Sequence, residues 1–520
     1  MASPLTDTHP RAPRRSIGAA LRALIAGAAL AGPILAGAAT AGSPPAAAAG
    51  SLAARLEPGV RALFDAGFAP GMSVAVVKDG AIAYAQGFGV ADLETGRPVG
   101  PETQFYIAST TKSFTALAAA RLATEGKVDL DAPISKYLPK LRLAESLSAD
   151  RITLRDLLAM THGIENNGPV TFRSAFTGEY TGDLLLRLVA AHGPASTGRE
   201  FKYGNLGYNL AGFVLESATG KGWKEIVEAE VLRPIGMSRT TAWMSRATTD
   251  LATPYRLGGD GFVTLRRTKT DATMHAAGGH LSTAGDLARY LIVHLDRGRI
   301  DGREVVPASA IAETHRMQAA QKAKFLDYER YGWGLGWDLG TYEADTLVHR
   351  FGNFNGSFCH LSFMPARGIG VVVLASEDRA GGMLATMVAN SIYDRLLEKP
   401  GAEERWARIV SEAPARAAEG RSRMAEDAQR RAARPQTTAH PLRAYVGEYE
   451  NANLGRIRWT LNGGRLRASM GALESEAEIY DGTKDQVRVE LTGSGEVVTF
   501  ECEGGTAKAL IYQNARFERR

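Results

Sequence analysis

The sequence predicts an α+β fold: one antiparallel sheet assembled from both ends of a long unit and covered by helices, followed by a small all-β domain. Three observations carry this prediction. Near its start the chain reads Ser73-Val74-Ala75-Val76-Val77, then Lys78-Asp79-Gly80, then a run from Ala81 in which Ile82, Tyr84 and Phe88 are evenly spaced. Two strand-like runs around Asp-Gly make a hairpin signal. Far downstream, residues 346–351, 357–363 and 369–375 read as three further strands, and helical periodicity and loops fill the stretch between the two sets. From Leu442 the pattern changes to short alternating stretches with glycine turns, as in Arg456-Ile457-Arg458-Trp459-Thr460-Leu461 before Asn462-Gly463-Gly464.

These patterns divide the 520 residues into a leader over 1–50, the α+β unit over 51–400, a helical linker over 401–440 and the all-β domain over 441–520. The linker is placed where Ala, Arg and Glu dominate and Pro435 and Pro441 bracket the end. In the leader, basic residues stop at Arg22 and an Ala/Gly-rich apolar stretch runs from Ala23 to Ala41. Ala39-Thr40-Ala41, or alternatively Ala47-Ala48-Ala49, offers a small-x-small cleavage site. Pro33 and the weak hydrophobicity argue against a membrane anchor. The expectation is a periplasmic or secreted protein with no stable span in its mature chain, and Arg14-Arg15 fits twin-arginine export.

Composition narrows the function classes. Hydrophobic residues make up 45% and charged residues 22%, an ordinary globular balance. The net charge is +5, but four arginines against Asp7 put three of those charges in the first 22 residues. The remaining excess of two is no footprint for a nucleic acid. The two cysteines, Cys359 and Cys502, fall in different predicted domains and show no metal-ligand spacing. No metal or cofactor is expected, and the partner expected is a small-molecule or short-peptide substrate.

The chemistry is read from Ser109-Thr110-Thr111-Lys112, which leads into Phe114, Leu117, Ala118 and Leu122 on one helical face and ends at Gly126. Ser109 then sits at a helix N-terminus with Lys112 one turn on, on the same face. A serine hydroxyl needs a neighbouring base, and a lysine serves only where burial and positive surroundings lower its pKa. Ser at such a position is more commonly an N-cap, so partners are required. Tyr203-Gly204-Asn205 precedes a helix carrying Leu210, Phe213, Val214 and Ala218, whereas Tyr449-Glu450-Asn451 and Tyr512-Gln513-Asn514 lie in the β domain, where strand and turn roles suffice. His349-Arg350-Phe351-Gly352 closes a predicted strand.

In order, Ser109-x-x-Lys112, Tyr203-x-Asn205 and His349-x-x-Gly352 resemble the three motifs of serine β-lactamases and penicillin-binding proteins, on the class C side. Ile152-Thr153-Leu154 to Thr161-His162-Gly163, Arg233-Pro234-Ile235-Gly236-Met237 and Ala277-Gly278-Gly279-His280 are similar to further family segments. The resemblance covers residues 60–395 and implies a β-lactamase/transpeptidase-like fold and a two-step acyl transfer. It implies Ser109 as nucleophile, Lys112 and Tyr203 as its proton acceptors, Asn205 as orienting group, and the amides of Ser109 and Gly352 as oxyanion donors. His349 would stand where the family often has Lys, Phe351 where Gly is common, and strand alternation would turn Arg350 away. This favours esterase or D-amino-acid peptidase chemistry over efficient lactam cleavage. The C-terminal domain, with Tyr445-Val446-Gly447-Glu448-Tyr449, resembles an appended lipocalin-like barrel. The alternative is a non-catalytic peptide- or peptidoglycan-binding member of the same fold. A Ser-His-Asp hydrolase has no Gly-x-Ser-x-Gly elbow here, and His-Glu-x-x-His is absent.

Overall fold

The computed structural model describes residues 46–143, 147–165, 172–173, 175–177, 181–190 and 199–520. The leader expectation falls on residues 1–45 for the most part and so lies outside the described residues. Among the described residues no helix is long and apolar enough to cross a membrane.

A nine-stranded antiparallel sheet forms the scaffold. Its strands are β1 (Gly71–Lys78), β2 (Ala81–Asp92), β3 (Arg97–Pro98), β4 (Ala319–Phe325), β5 (Tyr328–Trp333), β6 (Asp338–Tyr342), β7 (Asp345–Phe354), β8 (Ser357–Met364) and β9 (Ile369–Ala375). They lie in the order β4-β5-β6-β7-β8-β9-β1-β2-β3. The β1–β2 hairpin forms at Asp79-Gly80, where φ values of 52° and 75° give the left-handed pair that a two-residue turn requires. The early and late strands join where β1 pairs with β9, from Met72 opposite Ala375 to Lys78 opposite Ile369.

Among the described residues, the longer helices that cover the sheet and build the site include α1 (Ala46–Asp65), α2 (Thr111–Thr124), α3 (Leu206–Thr219), α4 (Ala284–Leu295), α5 (Ala380–Leu396) and α6 (Ala402–Ala432). Strand alternation distributes side chains between two cores. Val74 and Val76 of β1 join α1 and α5, while Ala75 and Val77 join α2, α3 and α4. The same rule on β7 sends Leu347 and Phe351 to the α5 side and Val348 to the α2 side. Helix α6 covers most of the segment expected to be a linker, but it is packed: Trp406, Ala413 and Ala417 are buried, and Trp406 Nε1 donates to Asp394 at 2.8 Å. Its few apolar residues recur at helical spacing, which is enough to seat one face.

The C-terminal domain is a second nine-stranded antiparallel sheet. Its edge strands, Leu473–Glu476 and Glu478–Asp481, are separated in sequence only by Ala477, so the two edges meet and the sheet nearly closes into a barrel. Trp459, Tyr445, Tyr449, Phe500 and Phe517 fill it. The barrel grips the α+β unit through Phe172, which is buried in the barrel core, and through Ala472 N–H donating to the Thr177 carbonyl at 3.0 Å.

Candidate active site

The chain enters the site through Phe105-Tyr106, which pairs with Leu281-Ser282 and so fixes the approach to α2. Ala108 follows at φ 43°, an uncommon conformation for a residue with a Cβ, and a short 3-10 turn Ala108–Thr110 then runs into α2. This kink sets Ser109 at the open end of the helix, where the first-turn amides lack intrahelical acceptors. Lys112, one turn on, is fully buried. Its Nζ lies 3.1 Å from Ser109 Oγ and donates to Asn205 Oδ1 and to the Ala277 carbonyl, both at 2.7 Å. The Ala277 loop is itself pinned by Ala277 N–H donating to Asn209 Oδ1 of α3 at 3.2 Å.

Burial pushes the Lys112 pKa down to about 8; Tyr203 opposes the drop and the Arg350 charge reinforces it. Tyr203 presents an exposed ring edge, 47% accessible, while its hydroxyl turns inward. Burial of that hydroxyl would raise its pKa, but Arg350, Lys112 and hydrogen bonding with Ser109 outweigh it and bring Tyr203 to about 8 as well. The lysine and the tyrosine therefore titrate in one range beside one serine.

The third predicted element requires correction. His349 does not reach the cleft. It lies on the α5 face of β7, fully buried, stacked on Phe351 at 4.6 Å and close to Tyr328 at 5.4 Å. Burial, with Arg330 and Arg350 nearby, holds its pKa well below the usual imidazole value, so the ring is neutral. The neighbouring Arg350 takes the site-facing position. Its Nε donates to the Ser109 carbonyl at 3.1 Å, Nη1 to Asp338 Oδ2 at 3.1 Å, and Nη2 to the Tyr203 hydroxyl. Alternation does turn the two residues apart, but it is the arginine that faces Ser109.

Gly352 also differs from expectation. The β7–β8 hairpin closes at Asn355-Gly356, so Phe354 and Ser357 form the hydrogen-bonded pair and even-numbered residues of β7 bond to β8. The Gly352 amide therefore points to β8, and the amides of Phe351 and Asn353 point to the open edge beside Ser109. What Gly352 supplies is clearance. A Cβ there would stand 1.9 Å from the Ile107 carbonyl oxygen, so glycine lets β7 approach the turn that carries Ser109.

A cleft of about 480 Å³ opens over Ser109 and Tyr203, walled by Phe201, Phe325 and Phe358 and by the charged group Arg330, Asp338 and Arg350. Asp338 joins both arginines, at 3.1 Å from Arg350 and 3.4 Å from Arg330. Sequence reasoning missed Arg330, Asp338 and the Ala277 carbonyl. The apolar series Leu347 and Phe351, on the side of His349, could have identified Arg350 as the opposite-facing residue. Among the described residues, one His/Cys/Asp/Glu group has the closeness of metal ligands, and it lies in the barrel rather than here.

Comparison with known proteins follows this geometry. The family model described as Beta-lactamase matches residues 60–391. Protein flp of Staphylococcus aureus (strain MW2) is 31% identical over 177 residues, 34% of this chain and 35% of its own length. The match thus spans about a third of that relative. Unguisins hydrolase ungD' of Aspergillus campestris is 27% identical over 359 residues, 65% of this chain and 64% of that protein. Among solved structures, the octameric penicillin-binding protein homologue from Pyrococcus abyssi superposes with a TM-score of 0.55 at 23% identity, covering 90% of this chain and 99% of that one. SurE superposes with a TM-score of 0.54 at 21% identity, covering 91% and 99%. At these identities the two structures speak for the fold.

Proposed function

We infer, from the premise that this chain belongs to the beta-lactamase family, that it is an exported serine hydrolase cleaving an ester, amide or peptide bond through an acyl-enzyme on Ser109. The observation that carries the reading is the placement of one buried amine, Lys112 Nζ, among Ser109 Oγ, Asn205 Oδ1 and the Ala277 carbonyl. Two acceptors fix the amine and leave it aimed at the serine. Burial lowers its pKa to about 8, within reach of the base role.

In the first step Ser109 Oγ attacks the substrate carbonyl carbon while its proton passes to the Lys112–Tyr203 pair. The oxyanion is held by the Ser109 amide and by the β7 edge, where Asn353 N–H is directed. Tyr203 then protonates the leaving alkoxide or amine as the acyl-enzyme forms. Water attacks that ester in the second step, the same pair accepts its proton, and the Ser109 Oγ–acyl bond breaks as the pair returns a proton to Oγ and the acid is released. Arg350 holds the Tyr203 hydroxyl and favours its ionised form.

The aromatic walls suit an apolar acyl or side-chain group, while Arg330, like Arg350, is already paired with Asp338. That combination supports an esterase or D-amino-acid peptidase in preference to an efficient lactamase. The engaged state of Arg350, tied to Asp338, Tyr203 and the Ser109 carbonyl, leaves it little capacity to hold a lactam carboxylate as well. Export rests on the leader composition, and N-terminal sequencing of the native protein should find a mature start between Gly42 and Ser51.

The activity test is a panel on purified protein: nitrophenyl esters, D-amino-acid amides, D-Ala-D-Ala peptides and a chromogenic cephalosporin. Esters or D-peptides should turn over faster than the cephalosporin. A fluorophosphonate or penicillin probe should label the native chain, and Ser109→Ala should lose both label and turnover while keeping its circular-dichroism spectrum. Labelling that survives in Ser109→Ala would overturn the assignment.

A further inference from the structure

In the barrel, among residues the proposed reaction does not use, three side chains of different donor chemistry converge. His440 lies on the segment that leads into the barrel, Asp485 closes the short turn Gly482–Lys484, and Cys502 lies on the strand Glu496–Glu503. His440 Nδ1 stands 3.1 Å from both carboxylate oxygens of Asp485. One donor atom from each residue, Cys502 Sγ included, lies within 4.8 Å of the other two. A tetrahedral ion with bonds of about 2.0–2.3 Å needs donors roughly 3.3–3.6 Å apart, so a small closing movement completes the set.

Two backbone features aim these groups. Asp485 adopts φ 53°, a left-handed conformation that directs its carboxylate back toward His440. The ladder between the Glu496–Glu503 strand and the next strand, Thr506–Tyr512, shifts register between Glu501 and Cys502, and such a bulge re-aims a side chain. Outer contacts hold the group in place as metal ligands usually are held: the Tyr445 hydroxyl donates to Asp485, and Thr438 Oγ1 donates to the His440 carbonyl at 2.6 Å. The His440 side chain is 30% exposed and Asp485 13%, which gives an ion a route in.

The Cys502 thiol also hydrogen-bonds to Asp485, so one carboxylate draws the imidazole and the thiol together. We propose that His440, Asp485 and Cys502 form a binding site for a divalent transition ion of the Zn²⁺ class, with water as the fourth ligand. Imidazole, carboxylate and thiolate together suit such borderline ions over Mg²⁺ or Ca²⁺, which favour all-oxygen sets. Binding would release the Cys502 thiol proton to solvent and would tie the entry segment, a turn and a strand of the barrel to one centre. This proposal does not depend on the hydrolase reading.

The test uses full-length, tag-free, reduced protein titrated with Co²⁺ as the spectroscopic probe. One equivalent should produce a thiolate-to-cobalt charge-transfer band together with the intense visible bands of four-coordinate cobalt, and Zn²⁺ should displace them. Cys502→Ser should abolish the charge-transfer band, and His440→Ala should weaken Co²⁺ binding at least tenfold. The band should persist in Cys359→Ser, since Cys359 is buried in the other domain's core. Ester hydrolysis should be unchanged in the His440 and Cys502 variants. Absence of a charge-transfer band, or its survival in Cys502→Ser, would overturn the proposal. Should Cys502→Ser misfold, Asp485→Asn decides: lost or tenfold weaker Co²⁺ binding supports the site, and unchanged binding rejects it.

Discussion

Lys112 and Tyr203 share one proton range because Arg350 lies beside both and lowers both pKa values, on top of the burial that lowers the lysine. The active form carries one proton fewer than the fully protonated pair. kcat/KM should therefore rise with an apparent pKa near 8 and fall again once the second proton, needed by the leaving group, is lost. Arg350→Gln removes the charge that lowers both groups, so the rising limb should move to higher pH. Loss of a charged hydrogen bond of about 1.5–3 kcal/mol should also reduce kcat/KM roughly ten- to a hundredfold. A limb that stays in place would show that Arg350 does not tune the pair. One residue earlier the expectation reverses. His349→Lys would put an ammonium into the buried layer of Phe351, Tyr328 and His360. Thermal stability should fall, and esters and carboxylate-bearing lactams should lose rate by the same factor. A gain selective for lactams would instead place His349 in the cleft.

At the scale of elements, β7 lies close against the Ser109 turn because Gly352 has no side chain. Gly352→Ala would drive a methyl group into the Ile107 carbonyl, and relieving it must push β7 away from Ser109. The expected cost is about 1–3 kcal/mol of stability, with a fall in kcat that exceeds any rise in KM. Denaturant midpoints and steady-state kinetics on the same preparation would check this; unchanged kcat would mean that the strand edge has no part in the chemistry. The motif glycine was legible in the sequence and its task was not, because a four-residue motif does not reveal which amides a strand spends on its neighbour. Register is the general difficulty here. His349 and Arg350 are adjacent, and a reading one residue off reverses the face. The Asp79-Gly80 hairpin was readable because its turn chemistry and flanking apolar runs agree. Strands β4 to β6 were not, since Gln321, Lys322, Lys324 and Arg330 break their alternation and two inner strand positions are glycines, Gly332 and Gly340. These strands form one edge of the sheet and wall the cleft, so their polar content serves the site at the expense of the pattern.

The whole molecule is joined through a short segment that belongs to one domain by sequence and to the other by packing. Phe172 is buried in the barrel core, its ring edge-on to Tyr512 at 5.5 Å, and Arg173 donates to the Leu454 carbonyl at 3.1 Å. Four residues on, Phe176 stacks on Phe354 at 5.1 Å, and Phe354 ends the strand whose Asn353 lines the cleft. Arg256 adds a second link, donating to the Gly493 carbonyl at 2.8 Å and to Glu490 at 3.1 Å. Barrel and catalytic unit should accordingly unfold as one cooperative body. Phe172→Ala removes the largest apolar tie; a buried Phe→Ala change costs about 3–5 kcal/mol. Because that cost falls on the junction, calorimetry should show the single transition of the native chain splitting in two, with the barrel melting first. Hydrogen exchange should accelerate at residues 172, 173 and 175–177 and at 471–472, where the Ala472–Thr177 bond lies. The active-site geometry should survive at low temperature, so kcat on a small nitrophenyl ester should change less than threefold while the half-life at elevated temperature falls steeply. A single transition at the native midpoint would show that the coupling runs through the Arg256 contacts instead, and Arg256→Ala in the same background would then be required to split it.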